Sequence, residues 1–316
     1  MKRTLFVTSN RLGDAVLTTG VLAKLLIDEP EVPVTVVCGH LAKEIFECFE
    51  GVEKVVPIKK RKYNLHWLDA FRRIDGIFWH RIVDFRGSGL GLLPTKHRHY
   101  WKGGNDQQHK LLTNAQLVGV NEVIPPVIPV TGTKIKKPFR IAEENQVIAI
   151  APTANFKGKQ WHYENFIGLA RRLTDKGGIL QGAKILVLGA PGEEEQAMPV
   201  VEALPKDQVL DFVGKTTPLE AAQLLSQADL FVGNDSGLMH TAVAVKIPSV
   251  GLFGVGKPTV YGPWGERSLC LVGEPAGERI TRTEILNDKG EVEIRETLPL
   301  DYVHKKVEDF YKSLST

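Results

Sequence analysis

Leu230-Phe231-Val232-Gly233-Asn234-Asp235-Ser236-Gly237-Leu238-Met239-His240-Thr241-Ala242-Val243 passes from an apolar run, through a small polar turn, into a helical segment. The order strand, turn, helix is half of a parallel βαβ unit. Asp235 or Ser236 is a credible N-cap, and Gly237 lets a ligand approach the backbone closely. The free N–H groups and dipole of such a helix start form a ready anion site. Asp-Ser-Gly before a helix is also ordinary capping chemistry, so the turn by itself does not choose between the two.

Working outward, the same alternation recurs along the chain. Apolar strand runs read at Thr4–Thr8, Val34–Cys38, Lys54–Ile58, Arg81–Phe85, Val147–Pro152, Ala183–Leu188 and Ser249–Phe253. Helical segments read at Asp14–Ile27, Leu41–Phe49, His109–Val118 and, last in the chain, 300–314. Between Pro125 and Asn145 the texture changes to a polar stretch punctuated by Pro125-Pro126, Pro129, Thr131-Gly132-Thr133 and Pro138, which reads as a linker. The expectation is an α/β protein of two halves, 1–140 and 141–316, with the last helix free to pack on either.

Composition agrees with an ordinary globular chain, 43% apolar and 24% charged. No run reaches the ~18 apolar residues of a membrane-spanning helix. Met1–Thr8 reads as a first strand and not as a signal peptide. Three cysteines, Cys38, Cys48 and Cys270, without C-x-x-C spacing fit free thiols in a reducing compartment, hence a cytoplasmic protein. The first 150 residues carry a net charge of +7 and the remainder −4, and residues 59–110 hold twelve basic side chains against four acidic. Such asymmetry suits a phosphate-bearing partner, an anionic membrane surface or nucleic acid, or is simply a solvated basic face. With no nucleic-acid motif and no interleaved aromatics, nucleic acid is the least favoured of these.

In parallel sheets ligands bind where strands end and helices begin, so four loops carry the candidate chemistry. The turn 233–240 is one. In Pro152–Trp161, Thr153 and Asn155 can donate to phosphate oxygens and Lys157 or Lys159 adds charge, while Trp161 could equally be packing. The acidic loop 189–195, with Glu193, Glu194 and Glu195, suits ribose hydroxyls or a plain helix start. Asp14, at the start of the first helix after Gly13, could serve as general base or as an N-cap. Neither G-x-G-x-x-G after a strand nor G-x-x-x-x-G-K-[ST] occurs, which argues against a dehydrogenase and a P-loop kinase.

Together, Arg11-Leu12-Gly13-Asp14, Lys159-Gln160-Trp161 and Asn234-Asp235-Ser236-Gly237-Leu238-Met239-His240 resemble the lipopolysaccharide heptosyltransferases, glycosyltransferase family 9. Ala242, Ala244, Pro248, Val250, Leu252-Phe253-Gly254 and Gly262-Pro263 continue that family's pattern in order. The resemblance implies a GT-B fold, two Rossmann-like domains with parallel sheets facing across a cleft, the first binding acceptor and the second donor. It implies inverting, metal-independent transfer of heptose from an ADP-linked donor to the inner core of lipopolysaccharide, on a Kdo-lipid A type acceptor. Nothing else is implied as a cofactor; the nucleotide sugar is a co-substrate. Asp14 would deprotonate the acceptor hydroxyl and Lys159 would neutralise the departing diphosphate. The donor would meet Gly13, Thr153, Asn155, Lys159, Trp161, one of Glu193 and Glu194 or their neighbour, and Asn234, Asp235, Ser236, Gly237, Leu238, Met239 and His240.

Glycosyl transfer builds negative charge on the leaving diphosphate, which a helix N-terminus and a lysine can stabilise without Mg²⁺. No D-x-D triplet occurs in the chain. Lys59, Lys60, Arg61, Lys62 and Arg86, with Arg72, Arg73, Lys96 and Arg98, would receive an anionic glycolipid at the inner-membrane surface. A nucleotide-sugar epimerase on the same architecture, or a transferase of another sugar, is the alternative.

Overall fold

The apolar runs assemble into two all-parallel sheets in the computed structural model, which describes residues 2–59, 61–74, 76–103, 107–131, 141, 146–273 and 298–314. The chain divides into two compact units, Met1–Pro138 and Phe139–Thr316.

In the first unit the strands are β1 (Thr4–Val7), β2 (Val34–Gly39), β3 (Val52–Ile58), β4 (Trp79–Asp84) and β5 (Thr95–Tyr100), in the order β3-β2-β1-β4-β5. β1 lies between β2 and β4, with Val7 opposite Val37 on one side and Asp84 on the other. One sheet face, Leu5, Val7, Val37, Val56, Ile58 and Ile82, packs beneath Ala70 and Ile74 of a covering helix and Trp79. On the other face Phe6 meets the rings of Phe46 and Phe85 at 6.3 and 5.2 Å. Burying each such side chain is worth roughly 1.5–3 kcal/mol.

The single helix expected over Asp14–Ile27 is two: α1 (Leu12–Val16) and α2 (Thr19–Asp28). The threonine pair causes the break. Thr18 and Thr19 turn their hydroxyls back onto the carbonyls of Ala15 and Val16, both at 2.7 Å, and Thr18 also meets Thr8 across to β1. α3 (Lys43–Glu47), α4 (His66–Arg73) and α5 (Lys110–Leu117) complete the described helices of this unit. The start of the expected linker is not a free connector. Val127 N–H donates to Thr19 Oγ1, Ile128 is buried, and Gly20 approaches the Pro125 carbonyl so closely that a Cβ would lie 2.0 Å from its oxygen. Residues 132–140 and 142–145 of that stretch lie outside the described residues.

The second unit contains β6 (Val147–Ala151), β7 (Lys184–Gly189), β8 (Val209–Val213), β9 (Leu230–Asn234), β10 (Ser249–Phe253) and β11 (Ser268–Val272), ordered β11-β10-β9-β6-β7-β8. Counted within the unit, this is the doubly wound order 3-2-1-4-5-6 of dinucleotide-binding folds. Alternate residues serve opposite faces: Ile148, Ile150, Val232 and Leu252 enter one core, Ala149, Ala151, Phe231 and Phe253 the other. Helices α6 (Tyr163–Thr174), α7 (Glu194–Ala203), α8 (Pro218–Leu225), α9 (Gly237–Ala244) and α10 (Pro258–Tyr261) follow their strands. The last helix, α11 (Leu300–Ser313), belongs to this unit's core, where Val303 and Val307 are fully buried. Gly168 on α6 admits Leu300, since a Cβ there would stand 2.5 Å from its methyl.

Candidate functional site

β6 and β9 are neighbours at the centre of the second sheet, where the winding direction reverses, so the loops leaving their carboxyl ends open together. After β6 the chain runs through a short 3₁₀ turn, Lys157–Lys159, to α6; after β9 it turns at Asp235-Ser236 into α9. Lys159 Nζ donates to Asp235 Oδ2 at 2.5 Å. Asp235 is 6% exposed and the lysine 28%, so the charge pair is reachable from one side. Gly256 closes the other: a Cβ there would sit 2.6 Å from the same carboxylate oxygen.

Behind the pair stands Asn234, fully buried. Its Oδ1 accepts from the Trp161 backbone N–H at 2.9 Å and its Nδ2 donates to the Pro152 carbonyl at 2.8 Å. One side chain thus pins both ends of the 152–161 loop to β9. Trp161 is equally committed: it is 1% exposed, its indole N–H donates to the Leu298 carbonyl, and its ring meets Phe166 edge-on. Both residues, expected to touch the donor, are holders of the loop in this structure, because burial has engaged their polar groups inside the protein. Thr153 is also buried, with its methyl facing Gly189. Asn155 and Lys157 are exposed.

Ser236 occupies the N-cap position of α9 with extended backbone and no capping bond from its side chain; its Oγ is shielded from solvent yet has no partner among the described residues. With the open N–H groups of the first helical turn beyond it, including Gly237 and Leu238, this is a donor-rich, anion-accepting corner facing a lysine. Met239 is buried in the core, Leu238 packs partly against it, and His240 is 5% exposed. Cys270 is pushed up to about 11, chiefly by burial and then by Asp235's charge, so it stays a thiol.

At the carboxyl end of β7, Glu193 takes the N-cap position of α7 and accepts from the Ala190 N–H at 2.9 Å. Glu194 lies against Gly214, whose φ of 68° and whose missing Cβ (2.4 Å from Glu194 Oε1) leave room for it. Gln196, one turn into α7, accepts from Ala154 N–H and from Gln160 Nε2, and Gln160 also donates to the Ala154 carbonyl. No sequence signal marked Gln196; it brackets the lysine loop from the side opposite Asn234.

The chain is similar to known proteins in sequence and in fold. A family profile for glycosyltransferase family 9 (heptosyltransferase) fits residues 94–288. The chain belongs to glycosyltransferase family 9. A lipooligosaccharide heptosyltransferase 2 of Campylobacter jejuni is 25% identical over 276 residues, 83% of this chain and 84% of that one. Among solved structures, a family 9 glycosyl transferase of Veillonella parvula superposes with a TM-score of 0.76 at 19% identity, covering 99% and 98% of the two chains. An Escherichia coli heptosyltransferase solved with ADP superposes with a TM-score of 0.71 at 18% identity, covering 98% and 99%. These structural likenesses establish the fold, the two-unit GT-B architecture. The enzyme is therefore a glycosyltransferase.

In the first unit of the glycosyltransferase, the corresponding reversal lies between β1 and β4. Asp14 stands half-buried in the first turn of α1, with Ser9 Oγ donating to its Oδ2 at 3.4 Å, next to half-buried Gly13. Ser9, which opens the candidate loop 9–14, also accepts from Arg11 N–H. After β4, Asp84 is completely buried: Oδ1 accepts from Arg86 N–H, and Oδ2 from the N–H and hydroxyl of Ser88. Burial still holds its carboxyl above the usual range. The result is a tight turn that presents the exposed Arg86 side chain.

The basic stretch is less free than its count suggested. Arg61 pairs with Asp69, Arg73 donates to the Pro57 carbonyl, Arg81 pairs with Glu29, and Arg98 donates to the Leu93 carbonyl. Lys59, Lys62, Arg72 and Lys96 are exposed, and Lys60 lies outside the described residues. Among the described residues, no three His, Cys, Asp or Glu side chains converge to hold a metal ion.

Proposed function

We propose that this glycosyltransferase moves a heptose from an ADP-linked donor onto the inner core of lipopolysaccharide, by single displacement and without a metal ion. The observation that carries the reading is the corner formed by Lys159, the partnerless Ser236 hydroxyl and the open start of α9. A diphosphate supplies the acceptor oxygens that such a corner lacks, and the lysine can follow the charge that grows on it as the sugar leaves. The names of the relatives, lipooligosaccharide and lipopolysaccharide heptosyltransferases, support heptose and this acceptor class. The ADP held by the E. coli enzyme of like fold supports the nucleotide.

In this reading Asp14 removes the proton of the acceptor hydroxyl, whose oxygen attacks the anomeric carbon as the bond to the diphosphate breaks. ADP departs against Lys159 and the α9 N-terminus, and the sugar carbon inverts. Glu193 or Glu194 meets the ribose hydroxyls at the end of β7. Asn234, Trp161, Gln160 and Gln196 position the loop that carries Lys159. The exposed Lys59, Lys62 and Arg86, with Lys60 and Arg61, receive the phosphorylated, lipid-linked acceptor, and the enzyme works in the cytoplasm in peripheral contact with the inner membrane.

Calorimetric titration of the full chain with ADP, UDP and GDP tests the donor side. Clear preference for ADP is expected; preference for UDP overturns the donor assignment. Turnover of ADP-heptose with a Kdo-lipid A acceptor, and none with a neutral sugar, tests the remainder.

A further inference from the structure

The helix α4 has an inner and an outer face of unequal purpose. His66 and Ala70 with the following Ile74 are buried over the first sheet, and Trp67 packs partly beside them. The outer side is apolar too, and among the described residues nothing covers it. Leu68 is 47% exposed and Phe71 41%, and Leu65, just ahead of the helix, is half-exposed. On the flanks Tyr63 is 92% exposed and Phe78 72%, with Ile77 beside it. Six of the thirteen exposed large apolar side chains among the described residues therefore fall within residues 63–78. Exposed apolar residues scattered singly need no explanation; a concentration of this kind marks a contact surface. Tyr63 moreover adopts a left-handed φ of 54°, a conformation unusual for a tyrosine, with its ring turned out to solvent.

Charge identifies the partner. Residues 59–78 carry six Lys and Arg against two acids, Asp69 and Asp75, and Asp69 is already paired with Arg61. Lys59 and Lys62 precede the apolar face and Arg72 closes it, all three exposed. A short helix with an apolar outer face and a basic fringe is the pattern of an interfacial, in-plane membrane contact. Its eight residues span about 12 Å, far less than the ~30 Å hydrocarbon core, so it lies along the surface and does not cross.

We propose that Lys59, residues 61–74 and residues 76–78 form an in-plane anchor that seats the first unit on an anionic lipid bilayer, with Tyr63, Leu65, Leu68, Phe71 and Phe78 entering the headgroup boundary. This deepens the peripheral contact proposed above by naming the surface that makes it, and it does not depend on the donor assignment.

The test uses the full chain and vesicle flotation, phosphatidylglycerol-containing vesicles against pure phosphatidylcholine. The wild-type protein is expected to float with the anionic vesicles and not with the neutral ones, and Leu68→Glu with Phe71→Glu to weaken that binding about tenfold or more. Both substitutions are at exposed positions, so an unchanged melting temperature and unchanged calorimetric ADP binding confirm intact protein. A Leu68→Trp variant should shift its emission to the blue on anionic vesicles and be quenched by brominated acyl chains. The inference is overturned if the double variant floats like the wild type, or if Trp at 68 stays in water while the basic residues alone control binding. It is overturned as well if size-exclusion shows self-association that the double variant abolishes, since a second copy would then be the occupant. Failure of the wild type to bind ADP would sink the donor reading and leave the vesicle result standing.

Discussion

Lys159 Nζ rests 2.5 Å from Asp235 Oδ2, a contact between two loops 76 residues apart that only the juxtaposition of β6 and β9 makes possible. Replacing Lys159 by alanine leaves a nearly buried carboxylate without its counter-charge. The expected cost is about 1–3 kcal/mol of stability, discounted from a fully buried pair because the lysine is partly solvated. Transfer should fall roughly a hundredfold or more, since the leaving diphosphate loses its cation. Denaturant unfolding and steady-state kinetics read the two effects separately; full activity in Lys159→Ala would remove the residue from the mechanism.

Asn234 should matter through the loop it holds. In Asn234→Asp the Trp161 N–H keeps an acceptor, but the Pro152 carbonyl loses its donor and faces a carboxylate. A loss of about 2 kcal/mol or more is expected, with weaker ADP binding. Unaltered unfolding of this variant would show the clamp to be dispensable.

Gly256→Ala probes the same carboxylate from behind. The new methyl would stand 2.6 Å from Asp235 Oδ2 and 2.9 Å from the Phe253 ring, so the charge pair must shift. Displacements of this size cost roughly ten- to a hundredfold in catalytic efficiency. The expected signature is a raised donor KM with a small change in melting temperature; unchanged kinetics would mean that the corner tolerates movement.

Asp14→Asn should separate chemistry from binding. Asn keeps the size and the Ser9 contact but cannot accept the acceptor's proton, so transfer should drop by about two to four orders of magnitude while calorimetric ADP affinity holds. Retained turnover would disqualify Asp14 as the base.

Stability should decline on acidification for reasons outside the site. Burial holds His80 below its ordinary 6.5, so below that pH the unfolded chain takes up the proton first and unfolding becomes easier. Glu29 is held below 4.5, chiefly by the hydrogen bond from Arg81, so its contribution is complete above 4.5 and lost as pH falls through the lower folded value. Melting temperature should therefore start to fall near pH 6.5 and fall further below 4.5. In Glu29→Gln the second decline should flatten, at a cost of about 1 kcal/mol at neutral pH. Asp84, held above the usual carboxylate range by burial, acts in the opposite sense, so the variant decides: a decline below 4.5 that is unchanged in Glu29→Gln would contradict the Glu29 assignment.

The central strands were legible because burial on both faces writes them as continuous apolar runs, as in Val147–Ala151 and Leu230–Asn234. The three strands that the sequence did not disclose, β5, β8 and β11, all lie at sheet edges. There one flank meets solvent and the pattern dilutes, to the point that Thr-Lys-His-Arg-His-Tyr is a strand. α4 was missed for a related reason: apolar and basic residues are mixed on its outer side. In the second unit, Lys159, Trp161, Asn234 and Asp235 meet at the end of β9, but their division of labour was hidden. Asn234 and Asp235 are adjacent, yet one is engaged wholly within the protein and the other meets the lysine. Gln196 and Ser9 contribute through side-chain hydrogen bonds, two each, that no spacing advertises.

The bond from the Trp161 indole to the Leu298 carbonyl joins the end of the lysine loop to the residue that leads into α11. Order in the loop and docking of the terminal helix are thereby thermodynamically linked, and the linkage runs both ways. A ligand that settles the loop should slow amide hydrogen exchange in Val303–Val307, far along the chain from anything it touches. Conversely, an unfolding excursion confined to the terminal helix should let the ligand go.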